Sequence, residues 1–203
     1  MKQSILNSLI QFGVIFTVSV IIYLIFCREK KGYFKWIGLY KPKNNAWIMN
    51  ACIIFIISFI IMVGPIIIFL STGYLSSELL RTEFTGKGLS TGILISILFK
   101  AIIQTALTEE ILFRGLIGKR VARKFGYLTG NITQAIIFGL PHGLPFILMY
   151  DKYLFGLIMF ITASITGFLE FYINEKKGEG SILPSTCIHA FTNIISFTSQ
   201  AIL

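Results

Sequence analysis

Glu109, Glu110 and Arg114 stand together inside an apolar run, Thr108-Glu109-Glu110-Ile111-Leu112-Phe113-Arg114-Gly115, and the two histidines of the chain, His142 and His189, lie inside two other apolar runs. Glutamate and histidine are the usual groups for moving protons near neutral pH. On an α-helix Glu110 and Arg114, four residues apart, share a face and can pair. Glu109 is five residues from Arg114, roughly 140° around the helix, which leaves it for proton transfer. His142 follows Phe138 by four residues and His189 precedes Asn193 by four, so each pair also shares a helical face. His189 and the Asn193 amide offer two donors of the kind that stabilise an oxyanion when a carbonyl is attacked. The structural alternative for Glu109, His142, His189 and Asn193 is a hydrogen-bond network that holds helices together.

These groups need a reason to be where they are, because a charge at the centre of a bilayer costs roughly 2.5–3.5 kcal/mol on insertion scales. That the surroundings are a bilayer follows from composition. Of 203 residues, 55% are apolar and 13% charged, against about 25% charged in an ordinary soluble domain. The mean hydropathy is +0.79. The fold class is therefore an all-α polytopic membrane protein, with about six transmembrane helices. A net charge of +9 does not point to nucleic acid, since the basic residues gather in loops between apolar runs and form no stripe. The three cysteines, Cys27, Cys52 and Cys187, fit neither a disulfide framework nor a metal-binding pair.

The expected spans are Ser4 to Phe26, Trp47 to Leu70, Thr91 to Leu116, Asn131 to Tyr150, Tyr153 to Ile173 and Ile182 to Leu203. The first, as a helix roughly 35 Å long, is long enough to cross the hydrocarbon core and too long for the apolar part of a signal peptide. Gly64-Pro65 predicts a bend in the second. Phe138-Gly139-Leu140-Pro141-His142-Gly143-Leu144-Pro145 predicts a broken fourth span. The polar stretch 71–90 divides residues 1–90, a two-span N-terminal region, from a four-span core at 91–203. Lys100 and Glu170 stand near the ends of their spans, which predicts that both reach toward the interface. Lysine and arginine concentrate in Arg28–Lys43, Lys119–Lys124 and Lys176–Lys177, which places these loops in the cytoplasm and both termini outside. Aromatic residues between the lysines of the first loop suit a membrane surface. Along their helices Glu109, His142 and His189 then lie about 12–18 Å from the cytoplasmic ends, so they can meet in one cavity.

At these residues the chain resembles the CPBP family of intramembrane endopeptidases, the CAAX-processing and bacteriocin-processing enzymes that include the Abi proteins. The family pattern, E-E-x-x-x-R, F-x-x-x-H and H-x-x-x-N, is met by Glu109-Glu110-x-x-x-Arg114, Phe138-x-x-x-His142 and His189-x-x-x-Asn193, in order and on separate spans. Gly178 to Pro184 also resembles the lead-in to the last motif. The resemblance covers roughly Thr91 to Ile195 and implies hydrolysis of a peptide bond in a membrane-associated peptide or protein. Glu109 and His142 would activate water, His189 and Asn193 would stabilise the oxyanion, and Glu110, Arg114 and Phe138 would support the site. No cofactor is required in that scheme. Zinc on Glu109, His142 and His189 is the alternative that the resemblance leaves open. The partners implied are the substrate and the lipid of a bacterial cell membrane; the oligomeric state is left open. Two other functions compete. One is a non-catalytic bacteriocin self-immunity protein, and the other a proton-coupled transporter, whose expected inverted repeats are missing from the sequence.

Overall fold

The computed structural model describes residues 2–27 and 32–203. Arg28, Lys30 and Lys31 of the first basic loop lie outside the described residues. The described chain is built from helices: α1 (Lys2–Phe26), α2 (Tyr33–Ile37), α3 (Trp47–Ser71), α4 (Thr91–Phe125), α5 (Tyr127–Tyr150), α6 (Tyr153–Lys176) and α7 (Leu183–Ile202). Five of them, α1, α3, α4, α5 and α6, are long and apolar enough to cross a membrane. α7 fills the place of the sixth expected span. It has 20 residues, and its polar residues Ser185, Thr186 and His189 are buried against the other helices.

The distribution of side chains is that of a protein in lipid. Leu24 is 71% exposed and Ile60 63%, whereas Glu110 and Arg114 are 0% exposed. In water this arrangement would reverse the usual burial order. It makes this chain an integral membrane protein whose costly groups are sealed inside the bundle. Polar contacts join the helices where apolar burial gives little drive in lipid. The buried serines of α1 are one example: Ser8 donates to Gln104 of α4 at 2.9 Å, and Ser19 and Tyr33 join their hydroxyls at 2.5 Å.

α5 and α6 form a close hairpin. A Cβ at Gly143 would stand 2.6 Å from the Cβ of Phe160, so only glycine admits this approach. Asp151 turns the chain between the two helices with a left-handed φ of 53°. The fourth span is not broken as expected, because α5 is helical throughout with Pro141 and Pro145 inside it. Each proline removes one backbone donor, a loss that neighbouring helices and local side chains can absorb in a membrane. α3 runs through the Gly64-Pro65 step with Pro65 inside it.

Irregular winding appears in α4 instead. Phe99–Leu107 and Glu110–Gly118 are π-helical, with hydrogen bonds reaching the fifth residue instead of the fourth. The Thr108 hydroxyl follows the wide turn, donating to the carbonyl of Ile103 at 2.7 Å.

Two loops close the ends of the bundle. At one end, the 38–44 segment is stapled to the α6–α7 loop: Ile182 N–H donates to Gly38 O at 2.8 Å, the Tyr40 hydroxyl donates to Glu179 O at 2.7 Å, and Ser181 bonds the Tyr40 carbonyl. At the other end, the 72–90 segment is held by Gln200 and by Lys100, whose ammonium donates to Glu83 at 2.5 Å. Partial burial pushes the Glu83 carboxyl up, but the hydrogen bond and charge of Lys100 outweigh it and hold the group below the usual carboxylate range. This contribution is present above the unfolded pKa and fades as pH falls through the lower folded one. Glu83→Gln is therefore expected to speed proteolysis within 72–90 at neutral pH, and acid is expected to narrow the difference from wild type. Equal cleavage rates at neutral pH would show that Lys100 does not anchor this segment.

Candidate active site

The site is built from four helices. α4 supplies Glu109, Glu110 and Arg114, α5 supplies Phe138 and His142, α6 supplies Glu170, and α7 supplies His189 and Asn193. At its base is a fully buried ion-pair cluster. Arg114 Nε lies 3.4 Å from Glu110 Oε2, the i, i+4 pair that the sequence predicts. The tighter partner is Glu170, which bonds Arg114 Nη2. Glu170 does not reach the interface as expected. It is 2% exposed, because α6 continues past it to Lys176 and so places it inside the bundle. The carboxylate of Glu110 also accepts from the Ser185 hydroxyl, and Ser185 in turn is held by Asn174, whose amide donates to it at 2.6 Å.

Phe138 links this base to the histidines. Its ring lies 3.9 Å from Arg114 Cζ, covering the guanidinium in a cation–π contact. The same ring is 4.6 Å from His142 and 5.9 Å, edge-on, from His189. One aromatic side chain thus fixes the spacing of two imidazoles on different helices.

Hydrogen bonding determines how each imidazole is presented. His142 Nδ1 is 2.9 Å from the carbonyl of Phe138, an oxygen that can only accept, so Nδ1 carries the proton. His189 Nδ1 is 3.3 Å from Glu110 Oε1 and, facing a carboxylate, also donates. Both rings are anchored through Nδ1 and leave Nε2 for other work. His189 Nε2 lies 3.8 Å from Glu109 Oε2.

Glu109 stands apart from the cluster below it. Its side chain is 26% exposed, and Oε2 is buried with no hydrogen-bond partner. Asn193 is not paired with His189. Its amide donates to the Thr105 hydroxyl at 2.7 Å, in the first π-helical stretch of α4, which occupies one of the two amide hydrogens.

Glu109, His142 and His189 are not among the groups of described residues whose ligand atoms lie within 4.8 Å of one another. Ligand atoms of Glu110, Glu170 and His189 do lie within 4.8 Å of one another. That trio does not fit a dication, because the Arg114 guanidinium already ion-pairs with both carboxylates and a metal would have to displace it from a fully buried position. It is an ion-pair cluster.

A family model described as type II CAAX prenyl endopeptidase Rce1-like matches residues 90–195, from the residue before α4 into α7. The chain belongs to this family. Comparison with curated proteins and with solved structures gave no match. The Rce1-like match contains Glu109, Glu110, Arg114, Phe138, His142, Glu170, His189 and Asn193, so the whole constellation falls within it. Membership supports a CAAX-type intramembrane protease in general terms, with a peptide or protein substrate in the membrane. Sequence reasoning missed Glu170, Ser185, Asn174 and Thr105. A signal for Glu170 was present: Ala163, Gly167, Glu170 and Asn174 recur at helical spacing, and all four are buried.

Proposed function

We propose that this protein is an endopeptidase in which Glu109 and His142 activate a water molecule for attack on a peptide carbonyl, while His189 and Asn193 stabilise the oxyanion. The observation that carries this reading is the separation between Glu109 and the cluster beneath it. Glu110 and Glu170 are committed to Arg114, whereas Glu109 has an unpartnered oxygen beside His189.

Water loses a proton to Glu109 as its oxygen bonds to the carbonyl carbon. The same proton then passes to the amide nitrogen as the C–N bond breaks. His142, with Nδ1–H on Phe138, offers the Nε2 lone pair to orient that water. To donate from Nε2 while Nδ1–H stays on Glu110, His189 must carry both protons. Charge balance favours this, since Glu110 and Glu170 together outweigh Arg114 by one negative charge. The second amide hydrogen of Asn193 completes the pair of donors. We also propose that the basic loops face the cytoplasm, that both termini lie outside, and that the site opens toward the cytoplasmic side.

The test is cleavage of membrane-reconstituted prenylated and unprenylated peptides by purified protein, with fragments identified by mass spectrometry. Cleavage that survives a chelator is expected. An absence of cleavage across both substrate types, in protein that is folded, would overturn the reading in favour of the immunity function. Thr105→Val is a finer probe, because it keeps the side-chain shape but removes the acceptor that orients Asn193. We expect kcat/KM to fall about tenfold, with Thr105→Ser restoring it. An unchanged value in the valine variant would remove Asn193 from the oxyanion role.

A further inference from the structure

Residues 36–40 lie outside the stretch that the family model matches, yet their carbonyls are taken up by the chain around the site. The Trp36 carbonyl accepts from Arg120 Nη2 of α4 at 2.9 Å. The Gly38 carbonyl accepts from the N–H of Ile182, the residue before α7, at 2.8 Å. The Tyr40 carbonyl accepts from the Ser181 hydroxyl, whose oxygen in turn accepts from Leu183 N–H at 3.1 Å. The first N–H groups of a helix have no partner within it, so these bonds fix where α7 begins. Glu179 ties down the chain beyond, accepting from the N–H groups of Lys43 and Asn44 at 3.2 and 3.1 Å.

Between the Trp36 and Gly38 bonds stands Ile37, fully buried in one cluster with Trp36, Ile111 and Ile182. Ile111 follows Glu110 on α4 and Ile182 precedes α7, so one side chain fills the gap between these two elements. The fit is close. A Cβ at Gly115 would stand 2.8 Å from the Ile37 carbonyl oxygen and 2.8 Å from Ile37 Cγ1, and one at Gly38 would stand 3.2 Å from Ile182 Cγ2. The next level of the same interface is the site itself: Ser185, three residues past Ile182, bonds Glu110, and His189 Nδ1 lies 3.3 Å from Glu110 Oε1. Along α7, Ile182 precedes His189 by about 10 Å. Helix spacing in lipid is set by side-chain packing and polar contacts, with little apolar drive to close a gap. The volume of Ile37 therefore sets how far Glu110 must reach to meet Ser185 and His189.

We propose that Ile37 is a positioning residue, a wedge from the N-terminal region that holds α4 and the start of α7 at the spacing in which Glu110 fixes the His189 ring. Glu110 is held on its own helix by Arg114, so a change in the gap is taken up on the α7 side, by Ser185 and His189. His142 is insulated from it, since its Nδ1 is bonded within α5 to the Phe138 carbonyl at 2.9 Å. The effect on catalysis rests on the endopeptidase reading, whereas the effect on the His189 ring does not.

The chain has two histidines, so the full-length protein labelled with ¹⁵N in its imidazoles gives two sets of ring signals, which His142→Gln assigns. Ile37→Val and Ile37→Ala remove one and three side-chain carbons from the wedge. A graded movement of the His189 signals is expected across this pair, with those of His142 in place. In the cleavage assay Ile37→Ala should lower kcat about tenfold or more with KM little changed, and Ile37→Val should stay within about twofold of wild type. Unmoved His189 signals in Ile37→Ala would overturn the proposal, as would equal movement of both histidines, which marks a general loosening of the bundle. If Ile37→Ala does not fold, Ile37→Val decides by the same signals. Movement of His189 alone in a protein that cleaves nothing would leave the wedge standing and remove the endopeptidase reading.

Discussion

Glu109→Gln is expected to abolish peptide cleavage, lowering kcat on the order of a thousandfold, while leaving the protein folded. The substitution preserves shape and removes the ability to accept a proton. Glu109 Oε2 has no hydrogen-bond partner and the side chain is 26% exposed, so melting in detergent should change by less than about 1 kcal/mol. The combination matters because Glu110→Gln should behave differently: it removes the ion pair to Arg114 and weakens the hydrogen bonds from Ser185 and His189, and should lose stability along with activity. If Glu109→Gln cleaves as fast as wild type, Glu109 is not the proton acceptor and the proposed mechanism fails.

Arg114→Met should produce the largest loss of stability. It leaves Glu110 and Glu170 buried, side by side, with their shared counter-charge removed. Removing one partner of a buried pair typically costs about 3–5 kcal/mol. The Phe138 ring loses the guanidinium that it covers, so the histidines should loosen too. Expression yield and thermal unfolding in detergent give the readout. Adding Glu170→Gln to Arg114→Met removes one orphaned charge and should recover part of the loss. No recovery in the double variant would mean that Glu170 and Arg114 are not coupled as their contact implies.

Most of the candidate site is legible in the sequence because charge and imidazole are rare at membrane depth. Glu109, Glu110, Arg114, His142 and His189 drew attention by position alone, and the i, i+4 relation of Glu110 to Arg114 survives in the structure. Partners recruited from other helices were not legible. A fifth span ending at Ile173 puts Glu170 near the interface, and the three further residues of α6 are enough to bury it. Helical spacing puts Asn193 on the face of His189, yet its hydrogen bond goes to Thr105 on α4, a contact that only the packing of α7 on α4 creates. The prolines of α5 signalled a break that the lipid-facing hairpin with α6 absorbs, while the irregular winding fell in α4, where no proline or glycine cluster announced it.

That winding gives α4 a rotary adjustment. Thr108 and Glu109 sit between the two wide-turn segments, and shortening either segment by one residue would let its wide turns tighten to ordinary α-helical ones. The two glutamates would then rotate by roughly 100° relative to the helix beyond the contraction, with few hydrogen bonds lost. The aim of Glu109 is therefore set by how tightly its own helix is wound, so a single-residue deletion in 99–107 should redirect the acid, and the buried pairing of Glu110 with Arg114 sets how much of that rotation the bundle resists.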